Sequence, residues 1–302
     1  MSNGTDDPDQ RADEDAAGLE PIHLSAERVD EIILSAGGTE AILVGGQALG
    51  IWVDLLIDPD RLDELGGPVT SKDVDFFGSR HLAQELADHL GGRVVEPDPE
   101  HVGTPEAALV FCERDGETIQ IDIMGRLAGL SNKEIENGWI EQPYGQETDQ
   151  VLIRILAPME ILLSRIANVT VLRRGTPGAI RQLRIAPHVV EAFIRQRLDA
   201  MLDPDNQADP DLIRVLRRIA QGAIRKLIHF GRAPELDRIY LDHGVDLIAH
   251  AWALSDHPAW DPKFVEHQIL GAAEEGAAQR ARRIEERTRK DPGFLTFGGS
   301  GG

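Results

Sequence analysis

Leu43-Val44-Gly45-Gly46-Gln47-Ala48-Leu49 and Thr70-Ser71-Lys72-Asp73-Val74-Asp75-Phe76-Phe77 are the two stretches whose reading decides the fold. In the first, an apolar run ends in a glycine pair and turns into a helical pattern. Glycine lets a backbone come close to an anion, and the helix that follows offers free N–H groups at its N-terminus, so this is what a phosphate-approaching turn requires. In the second, Asp-Val-Asp opens a β-branched and aromatic run and reads as a strand. Side chains alternate along a strand, so Asp73 and Asp75 share one face while Val74 packs on the other. Two carboxylates 4 Å apart repel by about 4 kcal/mol at an effective dielectric of about 20. Without a cation that repulsion raises a pKa or costs stability; with Mg²⁺ it makes a metal site.

A third carboxylate comes from downstream. Residues 106–112 and 117–124 flank Asp115-Gly116, a strong two-residue hairpin signal. Ile119, Ile121 and Ile123 alternate with Gln120 and Asp122, which therefore share the opposite face. Three carboxylates on adjacent strands beside a Gly-Gly turn can hold two metal ions and a triphosphate for an in-line displacement.

Gly45-Gly46, Asp73-x-Asp75 and the later strand residue Asp122 resemble the core of the DNA polymerase β-type nucleotidyltransferase superfamily. The wording Val-Gly-Gly-Gln-Ala followed by Thr-Ser-Lys-Asp-Val-Asp-Phe is similar to its bacterial abortive-infection and toxin-like branch. The likeness covers residues 41–124 directly and a helical part after Ala157 more loosely. It implies that Gly45 and Gly46, with Gln47, Ser71 and Lys72 from the same motifs, lie against the nucleotide. It also implies that Asp73, Asp75 and Asp122 hold Mg²⁺, as two ions. A basic residue on the helix after the core belongs to the same pattern, and Arg165 is the candidate, with Asn168, Gln182 and Arg184 as further nucleotide-binding candidates. The chain departs from the pattern in places. Gln47 stands where many relatives carry Ser or Thr, Val69 where many carry Arg, and the Lys and later Asp of the better-known toxin groups are missing near Arg184.

Composition sets the outer limits. With 302 residues, 41% hydrophobic and 27% charged, the chain can bury one large or two ordinary cores. No apolar run reaches the ~18–20 residues of a membrane span, and the acidic N-terminus is not a signal peptide. The single Cys112 excludes an intramolecular disulfide and, on a strand, reads as a buried thiol, which fits a cytoplasmic protein. A net charge of −21 ordinarily argues against nucleic acid as partner. Between Arg154 and Arg232, however, 13 Arg and one Lys face seven acids, a net of +7 that leaves −28 on the rest. A basic segment after an acidic one suits an anionic ligand, triphosphate or RNA; solvated helix faces explain most of those arginines as well.

Taken in order, residues 1–20 form an acidic, disordered tail and residues 21–156 a nucleotidyltransferase core of α/β (α+β) class, with a mixed β-sheet flanked by helices. Residues 157–290 form an all-helical C-terminal domain and 291–302 a flexible tail. Within the core we expect a helix capped by Ser25, a strand over 39–44, and a helix over 47–56 packed by Trp52. A loose connection over 58–69, a helix over 81–90, a short strand over 93–95, a short helix over 131–140 and a last strand over 151–155 follow. In the helical part Pro158 opens one helix, Pro187 breaks or restarts a second, and residues 211–230 are strongly periodic. Two helices flank Gly244, and residues 264–290 make a long charged one. His243, His250 and His257 recur every seven residues without a liganding pattern around them.

The leading expectation is an Mg²⁺-dependent transfer of a nucleoside monophosphate from an NTP to an acceptor hydroxyl, on tRNA, on protein or on a small compound such as an antibiotic. The other is a binding or regulatory protein that keeps the fold without turnover and works with an antitoxin-like partner; Gln47 and Val69 favour it.

Overall fold

The computed structural model describes residues 24–69, 73–96 and 105–291. Ser71 and Lys72 and the expected terminal tails lie outside them, apart from Asp291. Among the described residues the chain is mixed α/β: a seven-stranded mixed sheet, flanking helices and a helical C-terminal region. No described helix is long and apolar enough to cross a membrane.

The elements run α1 (Ala26–Ser35), β1 (Ile42–Leu43), α2 (Gly45–Leu56), α3 (Pro59–Glu64), β2 (Val74–Phe77), α4 (Arg80–Leu90), β3 (Arg93–Val95), β4 (Glu106–Arg114), β5 (Glu117–Met124), α5 (Asn132–Asn137), β6 (Trp139–Tyr144) and β7 (Val151–Leu156). Then come α6 (Pro158–Thr170), α7 (Pro177–Leu202), α8 (Pro204–Gln207), α9 (Pro210–Gly231), α10 (Leu236–His243), α11 (Leu247–Trp252) and α12 (Pro262–Phe264). A π-helical turn (Val265–Leu270) leads into α13 (Gly271–Lys290). The sheet order is β3-β4-β5-β2-β1-β7-β6. β2 lies parallel to β5 and β1 parallel to β7, while the other neighbours are antiparallel.

Strand parity does what the sequence pattern requires. Val74, Phe76, Ile121 and Ile123 are fully buried, which leaves Asp75 and Asp122 on the opposite, partly exposed face. The Asp115-Gly116 hairpin forms with both residues at positive φ, 51° and 83°. Arg114 and Arg28 both pair with Glu31, and Arg28 also reaches Asp115, so α1 is tied to this turn. Trp52 packs α2: it is buried, donates from Nε1 to the Leu156 carbonyl at 2.9 Å, and meets Phe193 edge-on. Cys112 is a buried thiol whose pKa is pushed up, chiefly by burial.

Five expectations need correction. The first strand is only Ile42–Leu43, because α2 already begins at Gly45 and its N-cap is Val44. Asp73 sits just before β2 rather than on it. The connection over 58–69 contains α3, capped by Asp58, which accepts from the Asp60 N–H at 2.9 Å. The segment after α5 is a strand, β6, paired with β7 at the sheet edge. Finally, Pro187 does not break α7, which runs unbroken from Pro177 to Leu202. A proline inside a helix costs about 3 kcal/mol. Leu183, Ile185, Val189, Val190, Phe193 and Ile194 around it are all buried, at about 1.5–3 kcal/mol each, so tertiary packing outweighs the local penalty.

The helical region is held by charge as well as packing. Asp237, with no exposed surface, receives two bonds from Arg283 at 2.8 and 3.0 Å, and Asp246 receives two from Arg280 at 2.8 and 2.6 Å, fixing α13 to α10 and α11. A buried aspartate stripped of such a partner costs about 3–5 kcal/mol.

Candidate active site

Asp75 and Asp122 are register partners on adjacent parallel strands. Neighbouring strands lie about 4.8 Å apart, so the two side chains rise side by side from one sheet face. Gln120, two residues earlier on β5, donates from Nε2 to Asp122 Oδ1 at 2.8 Å and orients that carboxylate. Asp73 lies exposed at the entrance to β2, and its negative charge raises the pKa of both Asp75 and Asp122.

The N-terminus of α2 closes over Asp75. The Val44 N–H donates to the Asp75 carbonyl at 3.0 Å, and Gly45 follows with φ at +71°. A β-carbon on Gly45 would stand 3.1 Å from Asp75 Cγ and nearer still to Oδ2, so only glycine fits there. Val44 makes no side-chain cap bond. The first backbone N–H groups of α2 come from Gly45 and Gly46, at the end of a helix where donors point out along the axis. They lie in the turn that meets the carboxylate, where the helix dipole favours anions.

The electrostatics follow from crowding. Burial, and then the charge of Asp122, push the Asp75 carboxyl up to about 7; Arg165 opposes this, Asp73 adds to it, and Arg174 opposes it again. Burial also raises Asp122, with Asp73 and Glu106 adding and the Gln120 bond opposing. Such a set, all hard oxygen donors with like charges crowded together, fits Mg²⁺.

Arg165 comes from α6. Its Nη1 donates to Gln182 Oε1 at 2.7 Å, while its buried Nε has no hydrogen-bond partner. Burial draws its pKa down and Asp75 pulls it back up. An unsatisfied buried guanidinium nitrogen costs about 1–3 kcal/mol or more, which an anionic ligand would recover. Asn168, one turn along α6, accepts the Arg174 N–H at its carbonyl, 2.9 Å, and so fixes the loop that carries Arg174.

Of the sequence candidates, Gly45, Asp73, Asp75, Asp122, Arg165 and Gln182 come together, and Gly46 and Gln47 follow Gly45 in the first turn of α2. Arg184 does not: two positions from Gln182 it points to another side of α7, and its Nε donates to the His243 carbonyl at 3.2 Å. Ser71 and Lys72 lie outside the described residues. Sequence reading missed Arg174 and Glu106, whose charges reach Asp75 and Asp122 respectively. The Arg173-Arg174 pair carries no motif, and Glu106 is a strand end like any other. Val69, where many members of the resembled superfamily carry Arg, is partly buried against the core. Much of the basic segment is structural. Arg154 stacks on Trp139, Arg197 on Phe193 and Arg225 on Phe264, while Lys226 pairs with Glu160 at 2.5 Å.

Compared with protein-family models, with curated proteins and with solved structures, the chain shows no match. The site therefore stands on its own geometry.

Proposed function

We propose that the chain is an Mg²⁺-dependent nucleotidyltransferase that moves a nucleoside monophosphate from an NTP to an acceptor hydroxyl and releases pyrophosphate. The observation that carries this reading is the register of Asp75 with Asp122 on parallel strands, with the glycine-led N-terminus of α2 against Asp75. Asp73, Asp75 and Asp122 would hold the metal, as two ions. Bound there, Mg²⁺ supplies neutralisation of the triphosphate charge and makes an acceptor hydroxyl easier to deprotonate.

The chain's own groups do the rest. N–H groups of Gly45 and Gly46 donate to phosphate oxygens and align the triphosphate along α2, with Gln47 next in the same turn. Arg165 and Arg174 neutralise charge on the leaving side. Asp122, with its raised pKa, takes the acceptor's proton. The acceptor oxygen forms a bond to the α-phosphorus as the α–β anhydride bond breaks, and pyrophosphate leaves with that electron pair. Arg174 also answers the Val69 departure, since it brings a second positive charge to Asp75 from a different segment.

The test is incubation with each labelled NTP and Mg²⁺, separately with total tRNA, with protein and with aminoglycosides, asking which fraction carries label. Label in one fraction, lost in Asp122→Asn, supports transfer. Tight Mg–NTP binding without label anywhere is the outcome for a regulatory protein paired with an antitoxin-like partner.

Arginine contacts give a second expected result. Arg165→Ala should weaken Mg–NTP binding about 10–100-fold, as the loss of a charge-assisted bond of about 1.5–3 kcal/mol implies. Arg217→Ala, on an exposed face of α9, should leave it unchanged. Equal affinities in calorimetric titration would make Arg165 a structural residue held by Gln182.

A further inference from the structure

His188, Glu191 and His250 form a second cluster, built wholly from the helical region. His188 and Glu191 are three apart on α7 and share a face; His250 comes from α11. One potential ligand atom from each lies within 4.8 Å of the other two. Glu191 Oε2 stands 2.8 Å from His250 Nδ1, and the rings of His188 and His250 meet edge to face with centroids 4.5 Å apart. The side chains of His250 and Glu191 keep 14% and 23% of their surface exposed, so an ion can reach them from solvent.

We propose that these three residues hold a divalent transition-metal ion of the zinc class, which clamps α7 to α11. Two imidazole nitrogens and one carboxylate oxygen form a borderline ligand set that suits Zn²⁺, Co²⁺ or Ni²⁺, whereas Mg²⁺ prefers oxygen alone. This separates the cluster chemically from Asp73, Asp75 and Asp122. Ligands about 2.0–2.1 Å from a tetrahedral ion stand about 3.3 Å apart. The contact between Glu191 and His250 therefore opens by only about half an ångström to admit one.

Supporting contacts are already in place. Glu191 Oε1 is held by Arg195 Nη2 at 3.4 Å, and the same nitrogen donates to the Ala253 carbonyl at 3.2 Å, which leaves Oε2 as the liganding oxygen. Arg195, and Arg61, whose charge is felt at His188, are the cations that such an ion works against. Three protein ligands leave a fourth position for water. The seven-residue recurrence of His243, His250 and His257 makes no site of its own, because His257 Nε2 pairs instead with Asp199 Oδ1 at 2.9 Å.

The test titrates the full chain, stripped by chelator, with Co²⁺ and Zn²⁺ in excess Mg²⁺, so that the carboxylate site is saturated. One Co²⁺ per chain should give the visible absorption of four-coordinate cobalt and be displaced by Zn²⁺. His188→Ala and His250→Ala should each weaken Zn²⁺ binding at least about 10–100-fold, since even an outer partner of a metal ligand is worth that much. Glu191→Gln keeps size and hydrogen bonding, guards against misfolding, and should lose the cobalt spectrum too. His257→Gln and Asp75→Asn should leave it unchanged. No stoichiometric cobalt binding, or an unaltered spectrum in His188→Ala and His250→Ala, would overturn the assignment.

Discussion

Replacing Asp75 with asparagine should abolish nucleotidyl transfer and yet make the metal-free protein more stable at neutral and alkaline pH. Loss of a group that stabilises transition-state charge costs about 10²–10³ in rate, and a metal ligand that also orients the triphosphate costs at least that. Stability moves the other way because Asp75 is an aspartate in the wrong place for folding. Its carboxyl is raised from an ordinary 3.8 to about 7 by burial first and by Asp122 next. A raised carboxylate contributes stability that is complete below its unfolded pKa and is lost as pH climbs through the folded one. The wild type should therefore lose stability relative to Asp75→Asn between about pH 4 and pH 7, with an upper bound of about 4 kcal/mol from the shift itself. Partial solvation of the site brings the expected gap to about 2 kcal/mol, or roughly 4–8 °C in melting temperature at pH 8. Adding Mg²⁺ should close the gap by raising the wild type alone. A variant less stable than wild type at pH 8 without metal would mean that Asp75 is an ordinary structural aspartate.

Gly45→Ala should be nearly as damaging to transfer, and here stability falls as well. At φ of +71° an alanine costs about 1–2 kcal/mol, and its methyl group would be driven into the Asp75 carboxylate. Either the carboxylate rotates away or the start of α2 lifts, and misplacing reactive groups by about 1 Å can cost 10²-fold in rate. Gly50→Ala is the control within the same helix, since an added β-carbon there meets nothing within 4 Å. It should leave transfer intact and stabilise α2 by about 0.5–1 kcal/mol. Equal transfer rates for Gly45→Ala and wild type would remove α2's N-terminus from the site.

What could be read from the sequence was whatever local periodicity encodes. Val74 and Phe76 set against Asp75, and the isoleucines set against Asp122, declared their faces because a period of two leaves no other choice for a half-buried strand. Asp115-Gly116 gave the hairpin that carries Asp122 to the sheet, although its pairing beside Asp75 is a tertiary fact. Residues whose signals are weak or non-local stayed hidden. Trp139–Tyr144 is an edge strand with no fully buried face and with Pro143 in it, so it shows neither clean alternation nor an apolar run. Gly45 reads as part of the turn before a helix over 47–56, and only its positive φ shows how it opens that helix itself against a carboxylate. Pro187 reads as a break because local rules know nothing of the core packed around α7. The charge of Arg174 is felt at Asp75 from the loop after α6, and His188 meets His250 where α7 packs on α11; no spacing in the chain announces either.

Whether this cluster serves a metal-bound triphosphate is tested most directly by calorimetric titration of the wild-type chain with each NTP. The titrations are run with and without Mg²⁺, with Asp75→Asn alongside. Binding of one NTP per chain that requires Mg²⁺ and weakens at least about tenfold in the variant is the expected result. A wild type that binds no nucleotide with Mg²⁺ present, or binds it equally well without metal and in the variant, would contradict it.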